Sequence, residues 1–306
     1  MGKLSEKNGE SHSQSKKYED RKQNKFRRWG KIRFSLLTFC FVTPFAFGLI
    51  ANPKAKTKIL VVMSASDTIL LDGEKKHPTG VFLNELYSPV KTLSEKGYEI
   101  VFATPFGKKV TIDPESTKEK YWKSEAETEE AIRLLSSFPT YSKPIRLEKA
   151  MGDHQSFVGI LVPGGQGLMT DLLYDEKIPQ LLKIFHQKQK PIGLVCHAPA
   201  LLTTLHLEGE NEKFIFKGYK VNSVTKIEEW FIETFVMKGT PKVRNISGSL
   251  KDLGMEYKSS FLPGRSYAIR DRNLITSQNP FSGTEFSELY LEAVEDYLQM
   301  NVSLTD

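Results

Sequence analysis

The residues best placed for chemistry lie in Lys190-Pro-Ile-Gly-Leu-Val-Cys196-His197-Ala-Pro-Ala-Leu-Leu202, where an apolar strand-like run ends on a cysteine and a histidine and passes into a helix-like run. A sharp strand-to-helix turn holds a side chain exposed beyond the strand, and the N–H groups that follow favour negative charge there. A thiolate is such a charge, so this position predicts a lowered thiol pKa and a nucleophilic Cys196 with His197 beside it. The competing reading is a buried cysteine packed as a small hydrophobe. Only one other cysteine exists, Cys40, and it belongs to a separate apolar segment, so no disulfide framework is expected. The six histidines (His12, His77, His154, His186, His197 and His206) form no close pair and no CxxC accompanies them, which predicts no metal and no cofactor.

The elements that must position Cys196 follow from patterning. Lys58–Met63, Glu99–Thr104, Phe157–Val162 and Ile192–Val195 are short, β-branched apolar runs, while Gly80–Leu93 has helical spacing. Such continuous runs are strands buried on both faces, as in a parallel sheet covered by helices. Ligands of such sheets bind beyond the carboxyl ends of the strands. Cys196 and the turn Pro163-Gly164-Gly165-Gln166-Gly167 both fall there, and the N–H groups of Gly164 and Gly165 are candidates for binding an oxyanion. Residues 118–138 read as a charged surface helix pair, and residues 111–117 and 208–217 as polar insertions. No repeat and no phosphate-binding loop is present.

Charge is unevenly distributed. Residues 1–33 hold eleven Lys and Arg against four Asp and Glu, a net of +7, whereas residues 34–306 are close to neutral. The basic pI therefore belongs to a disordered tail, and the body is not expected to bind nucleic acid. Residues 34–51 carry no charge over eighteen positions, the lower limit for a membrane span. A cleaved signal peptide ending near Ala46-Phe-Gly48 competes with an uncleaved anchor. The long leader and the excess of basic residues before the span favour a single-pass anchor with the N-terminus cytoplasmic and the catalytic domain outside. The expected organisation is a tail (1–33), a transmembrane helix (34–51), a linker (52–57) and one α/β domain (58–306).

Three dispersed motifs, Val195-Cys-His-Ala-Pro-Ala200, Pro163-Gly-Gly-Gln-Gly167 with Asp171-Leu172, and Leu274-Ile-Thr-Ser-Gln-Asn-Pro280, resemble the ThiJ/PfpI superfamily of the class I glutamine amidotransferase-like fold. The similarity spans residues 58–298 and is strongest to the branch of heat-shock-type chaperones with glutathione-independent glyoxalase III activity. It implies a flavodoxin-like, doubly wound parallel sheet sandwiched by helices, with a nucleophile elbow. It also implies Cys196 as nucleophile, His197 as its adjacent base and Glu85, in Gly80-Val-Phe-Leu-Asn-Glu85-Leu-Tyr-Ser-Pro89, as an acid that donates to the sulfur. Glu229 is the better match to the triad's third, acidic member, although the sequence leaves open whether Glu228 or Glu229 points inward. The substrate implied is a small carbonyl such as methylglyoxal, with no glutathione and no metal, and the family's habit implies a homodimer.

Two departures stand out. Gln166 occupies the place of a common histidine, and Lys226 that of a common aspartate. A glutamine hydrogen-bonds but does not shuttle protons near neutrality. The alternatives to a glyoxalase are an amidase, peptidase or glutamine amidotransferase-like hydrolase that keeps the nucleophile, and a chaperone or oxidative-stress sensor in which the thiol is oxidised rather than turning over.

Overall fold

In a computed structural model, residues 57–205 and 214–302 are described. The expected tail and membrane span, Cys40 and His206 lie outside them. Among the described residues no helix is long and apolar enough to cross a membrane.

In chain order the domain builds β1 (Lys58–Val62), a hairpin of β2 (Thr68–Leu70) and β3 (Lys76–Pro78), α1 (Leu83–Glu95), β4 (Glu99–Thr104), α2 (Glu125–Ser136), β5 (Ile145–Arg146), β6 (Phe157–Val162), α3 (Lys177–Gln187) and β7 (Ile192–Val195). It continues with β8 (Lys220–Val221), α4 (Lys226–Phe231), α5 (Ile246–Asp252), β9 (Glu256–Tyr257), β10 (Ala268–Asp271), β11 (Leu274–Ser277) and α6 (Gly283–Val302). Seven strands form one sheet in the order β10-β11-β7-β6-β1-β4-β5. All neighbours are parallel except β10 and β11, so the expected parallel sheet carries one antiparallel edge strand.

The central strands are buried along nearly their whole length because helices cover both faces, which is why β1, β6 and β7 read as uninterrupted apolar runs. Chain direction reverses its lateral progress at β1, with β4 on one side and β6 and β7 on the other. The crevice that such a switch opens lies at the carboxyl ends of β1, β6 and β7.

Two local expectations are corrected. Helix α1 starts at Leu83 rather than Gly80, because Val81 is drawn into extended pairing: its N–H donates to the carbonyl of Thr111 and its carbonyl accepts from the N–H of Asp113, both at 2.9 Å. The charged stretch 118–138 holds one 3-10 turn, Glu119–Tyr121, and the single helix α2 rather than a helix pair. Extended Trp122 interrupts it, and Ser124 restarts it by capping the N–H of Glu127.

Candidate active site

Strand β7 delivers Cys196 into a strained elbow. Its φ is 58°, a left-handed conformation unusual for a non-glycine residue. The surroundings hold it there: its N–H donates to the carbonyl of Ser277, the last residue of β11, and its carbonyl accepts from the N–H of Val224, both at 2.9 Å. The run that follows, Ala198–Thr204, is a 3-10 helix. Thr203 and Thr204 each donate a hydroxyl to the carbonyl three residues back, at 2.7 Å, competing with an α-helical ladder.

The sulfur stands 3.2 Å from Nδ1 of His197. Cys196 and His197 are each only 4% exposed. Burial pushes the thiol well above its usual range, and the neighbouring carboxyl groups of Glu85 and Glu228 act in the same direction. The expected lowering is therefore corrected. The N–H of His197 does favour a thiolate, but removing water from the sulfur outweighs it.

Glu85 comes from the first turn of α1 and is fully enclosed. Pro89, one turn on, lacks the N–H that would bond the Glu85 carbonyl. Burial raises the Glu85 carboxyl to about 8, partly opposed by the Cys196 thiol and the Gly164 backbone. It is neutral at pH 7 and has a proton to give. Cys196 and Glu85 thus form a buried pair that holds a single negative charge at most.

Close packing here requires glycine twice. A Cβ on Gly164 would collide with the Glu85 carboxyl and come within 2.8 Å of the Cys196 Cβ and the Val195 carbonyl. Gly165 has a φ of 107°, and a Cβ there would strike the carbonyl of Gly80. The loop after β6 is thereby pressed against both the nucleophile and the start of α1, where the Phe82 N–H donates to the Gly164 carbonyl at 3.2 Å. Gly165 and Gln166 line the cavity in front of the sulfur.

The second nitrogen of His197, Nε2, lies 2.9 Å from the Gln166 amide. No carboxylate touches the ring, and burial lowers its pKa to about 4, so the imidazole is neutral at neutral pH. The two glutamates at the start of α4 point elsewhere. Glu229 accepts the N–H groups of Asn245 and Ile246 at 3.1 and 3.4 Å, capping α5, and burial raises it to about 7. Glu228 closes a capping box with Thr225 and takes three further donors on Oε1: the Gly264 N–H at 2.8 Å, Asn279 Nδ2 at 2.9 Å and Gln278 Nε2 at 3.0 Å. Structure therefore brings Cys196, His197, Glu85, Gly164, Gly165 and Gln166 together, and leaves Glu229 away from the imidazole. Lys226 is exposed.

A cavity of about 420 Å³ opens in front of the sulfur. One side is polar, with His77, Thr79, Asp113 and Glu115; the other is formed by Ile227, Trp230, Phe231 and Met237 of α4 and the π-helix Ile232–Met237. Sequence reading missed this apolar wall. Its clue was the run Trp230-Phe231-Ile232 with Phe235, too apolar for the outer face of a surface helix. Among the described residues no group of His, Cys, Asp and Glu is arranged to hold a metal ion.

A helix-covered sheet that lifts a strained, buried cysteine beside a neutral histidine and a protonated glutamate defines an α/β protein of the cysteine-elbow class. The chain belongs to the DJ-1/PfpI family, whose profile matches residues 79–293. It is 25% identical over 239 residues to a Pseudomonas aeruginosa protein named protein/nucleic acid deglycase HchA, covering 76% of this chain and 79% of that one. Its identity to the protein of the same name from Staphylococcus aureus is 23% over 256 residues, or 81% of this chain and 84% of the relative. The crystal structure of glyoxalase III from Candida albicans shares the fold, with a TM-score of 0.65 at 22% identity over 78% of this chain and 97% of that one.

Proposed function

We propose that this chain is a glutathione-independent enzyme of reactive carbonyl compounds, with Cys196 as covalent nucleophile, converting an α-oxoaldehyde such as methylglyoxal to the 2-hydroxy acid. The observation that carries the reading is the 3.2 Å approach of Cys196 Sγ to Nδ1 of a neutral His197, both buried at the base of a cavity, with protonated Glu85 against the sulfur. The deglycase name of relatives aligned over three quarters of the chain supports the substrate class.

With the Gln166 amide turned so that its oxygen accepts from Nε2–H, His197 Nδ1 is unprotonated and takes the thiol proton as sulfur attacks the aldehyde carbon. The S–C bond forms, the C=O π electrons move to oxygen, and the imidazolium returns its proton there, giving a hemithioacetal. Nδ1 then removes the proton on that carbon and an enediol forms. Reprotonation at the neighbouring carbon leaves a thioester of the 2-hydroxy acid. Water adds to the thioester carbonyl, the C–S bond breaks, and the sulfur leaves protonated. With its pKa near 4 the ring is unprotonated at rest, free to accept, and as an imidazolium it surrenders its proton readily, so the thiol proton moves only as the S–C bond forms. Glu85 donates to the sulfur whenever it carries charge, and the Gly165 and Gln166 side of the cavity faces the developing oxyanion.

Burial of the thiol weighs against a peroxide sensor, which needs an accessible thiolate. The near-neutral charge beyond residue 33 favours uncharged carbonyls over polyanions, although the Pseudomonas relative is named for nucleic acids as well as proteins. Membrane anchorage through residues 34–51, with the catalytic domain extracytoplasmic, remains part of the reading on sequence grounds, and alkaline extraction of membranes containing the full chain tests it.

The deciding experiment incubates the full chain and its Cys196→Ala variant with methylglyoxal and no glutathione, and measures lactate. Lactate from the wild type alone is expected. Equal turnover by the variant, or none by either, overturns the reading.

A further inference from the structure

The cavity in front of Cys196 is far larger than a three-carbon ketoaldehyde. About 420 Å³ falls in the range that holds drug-sized ligands. Its composition is divided. Cys196, His197 and Gln166 occupy the floor, while Ile227, Trp230, Phe231 and Met237 form a continuous apolar wall reaching the mouth.

That wall is unusually exposed for a soluble domain. Ile227, Trp230 and Phe231 are 60%, 54% and 50% exposed, with Phe235 edge-on to the Trp230 ring and tilted against that of Phe231. An apolar patch that continues into a cavity with a nucleophile at its base is a binding surface rather than a scatter of surface hydrophobes. The backbone beneath it is a π-helix, Ile232–Met237, a widened turn that recurs at functional sites. It is pinned from behind by the Arg244–Glu233 ion pair, with two bonds of 2.6 Å.

The polar side offers little to an anionic substrate. Lys120, the lysine lining the cavity, is committed to Glu115 at 2.6 Å, which Lys118 also engages. Carboxylates of Asp113, Glu115 and Glu228 otherwise face this space and would repel a phosphate or a carboxylate.

Resting on the proposed carbonyl chemistry, the geometry points to a narrower substrate class: an uncharged α-oxoaldehyde bearing a bulky apolar substituent, aryl or medium-chain alkyl, with its dicarbonyl head at Cys196 and its tail along Trp230 and Phe231. Methylglyoxal is then a minimal substrate that leaves the wall unused.

An alkyl series tests this. For the full chain, kcat/KM is measured with methylglyoxal, butylglyoxal, hexylglyoxal and phenylglyoxal. Burying each added methylene raises kcat/KM roughly threefold to fourfold until the wall is covered. In Trp230→Ala and Phe231→Ala the slope flattens; both side chains are half exposed, so their loss does not open the core. A flat or falling series in a wild type that turns over methylglyoxal overturns the inference. Should no oxoaldehyde react, the carbonyl reading fails on its own, and a second measurement still decides the apolar tail site: protection of Cys196 from iodoacetamide by 2-alkanones of rising length. Protection that strengthens with chain length upholds the site, and protection independent of length overturns it.

Discussion

Gln166 sets its side-chain amide 2.9 Å from Nε2 of His197, in the position where a carboxylate would complete a charged triad. The amide carries both a donor and an acceptor, so it can hold either neutral tautomer of the ring, but it adds no charge to stabilise an imidazolium. Burial alone then governs the ring and holds its pKa near 4. The resting site is a thiol beside a neutral imidazole rather than an ion pair.

Giving the ring a carboxylate changes that balance. In Gln166→Glu the acid limb of kcat/KM, set near pH 4 by His197 in the wild type, moves up by about 1–3 pH units. Gln166→Ala keeps the limb low and loses kcat through a loosened ring. A pH profile of the three proteins checks this, and a limb that stays put in Gln166→Glu shows that position 166 does not govern the imidazole.

The thiol should alkylate slowly. Because burial and the adjacent carboxyl groups raise Cys196, its iodoacetamide reaction is expected to be slow at pH 7 and still accelerating above pH 9. Glu85→Gln removes a group that is ionised above about pH 8, so the variant reacts faster than wild type at pH 9. Mass-spectrometric alkylation rates from pH 6 to 10 measure both.

Glu85 also ties stability to pH. Its folded pKa, about 8, lies above the ordinary value of 4.5, so between those values the folded state binds more protons than the unfolded one. The stabilisation is full below pH 4.5 and is lost as pH rises toward 8, a change on the order of a few kcal/mol. His197 acts oppositely between about 4 and 6.5, where the unfolded chain binds the extra proton. Urea unfolding should therefore show the clearest decline between pH 6.5 and 8, to which Glu229 contributes up to about pH 7, and Glu85→Gln should remove the part between pH 7 and 8. An equal decline in the variant would place its origin elsewhere.

Glu229 is expected to be structural. Glu229→Gln loses part of the cap on Asn245 and Ile246 and destabilises the domain by about 1 kcal/mol, while kcat/KM stays within about threefold. A loss of 100-fold or more in kcat/KM with an unchanged melting midpoint would instead assign it a catalytic role.

The sequence by itself determined what local patterning encodes. Buried strands appear as β-branched runs because both faces of the central sheet are covered, and β6 and β7 have the bounds their residues imply. The cysteine at the end of β7 had to sit at the ligand-binding edge of such a sheet, with the glycine turn of β6 next to it. Tertiary structure alone decided the chemistry of the groups assembled there. Glu228 and Glu229 are neighbours in sequence, yet one bonds to the Gln278–Asn279 loop and the other caps α5, because successive side chains of a helix project about 100° apart and meet different elements. The strand-to-helix field around Cys196 suggested a lowered pKa, but the enclosing segments 80–85, 163–166 and 224–237 exclude water, and desolvation reverses the sign. Burial depends on distant parts of the chain arriving at one place, and that information is not carried by any local run of residues.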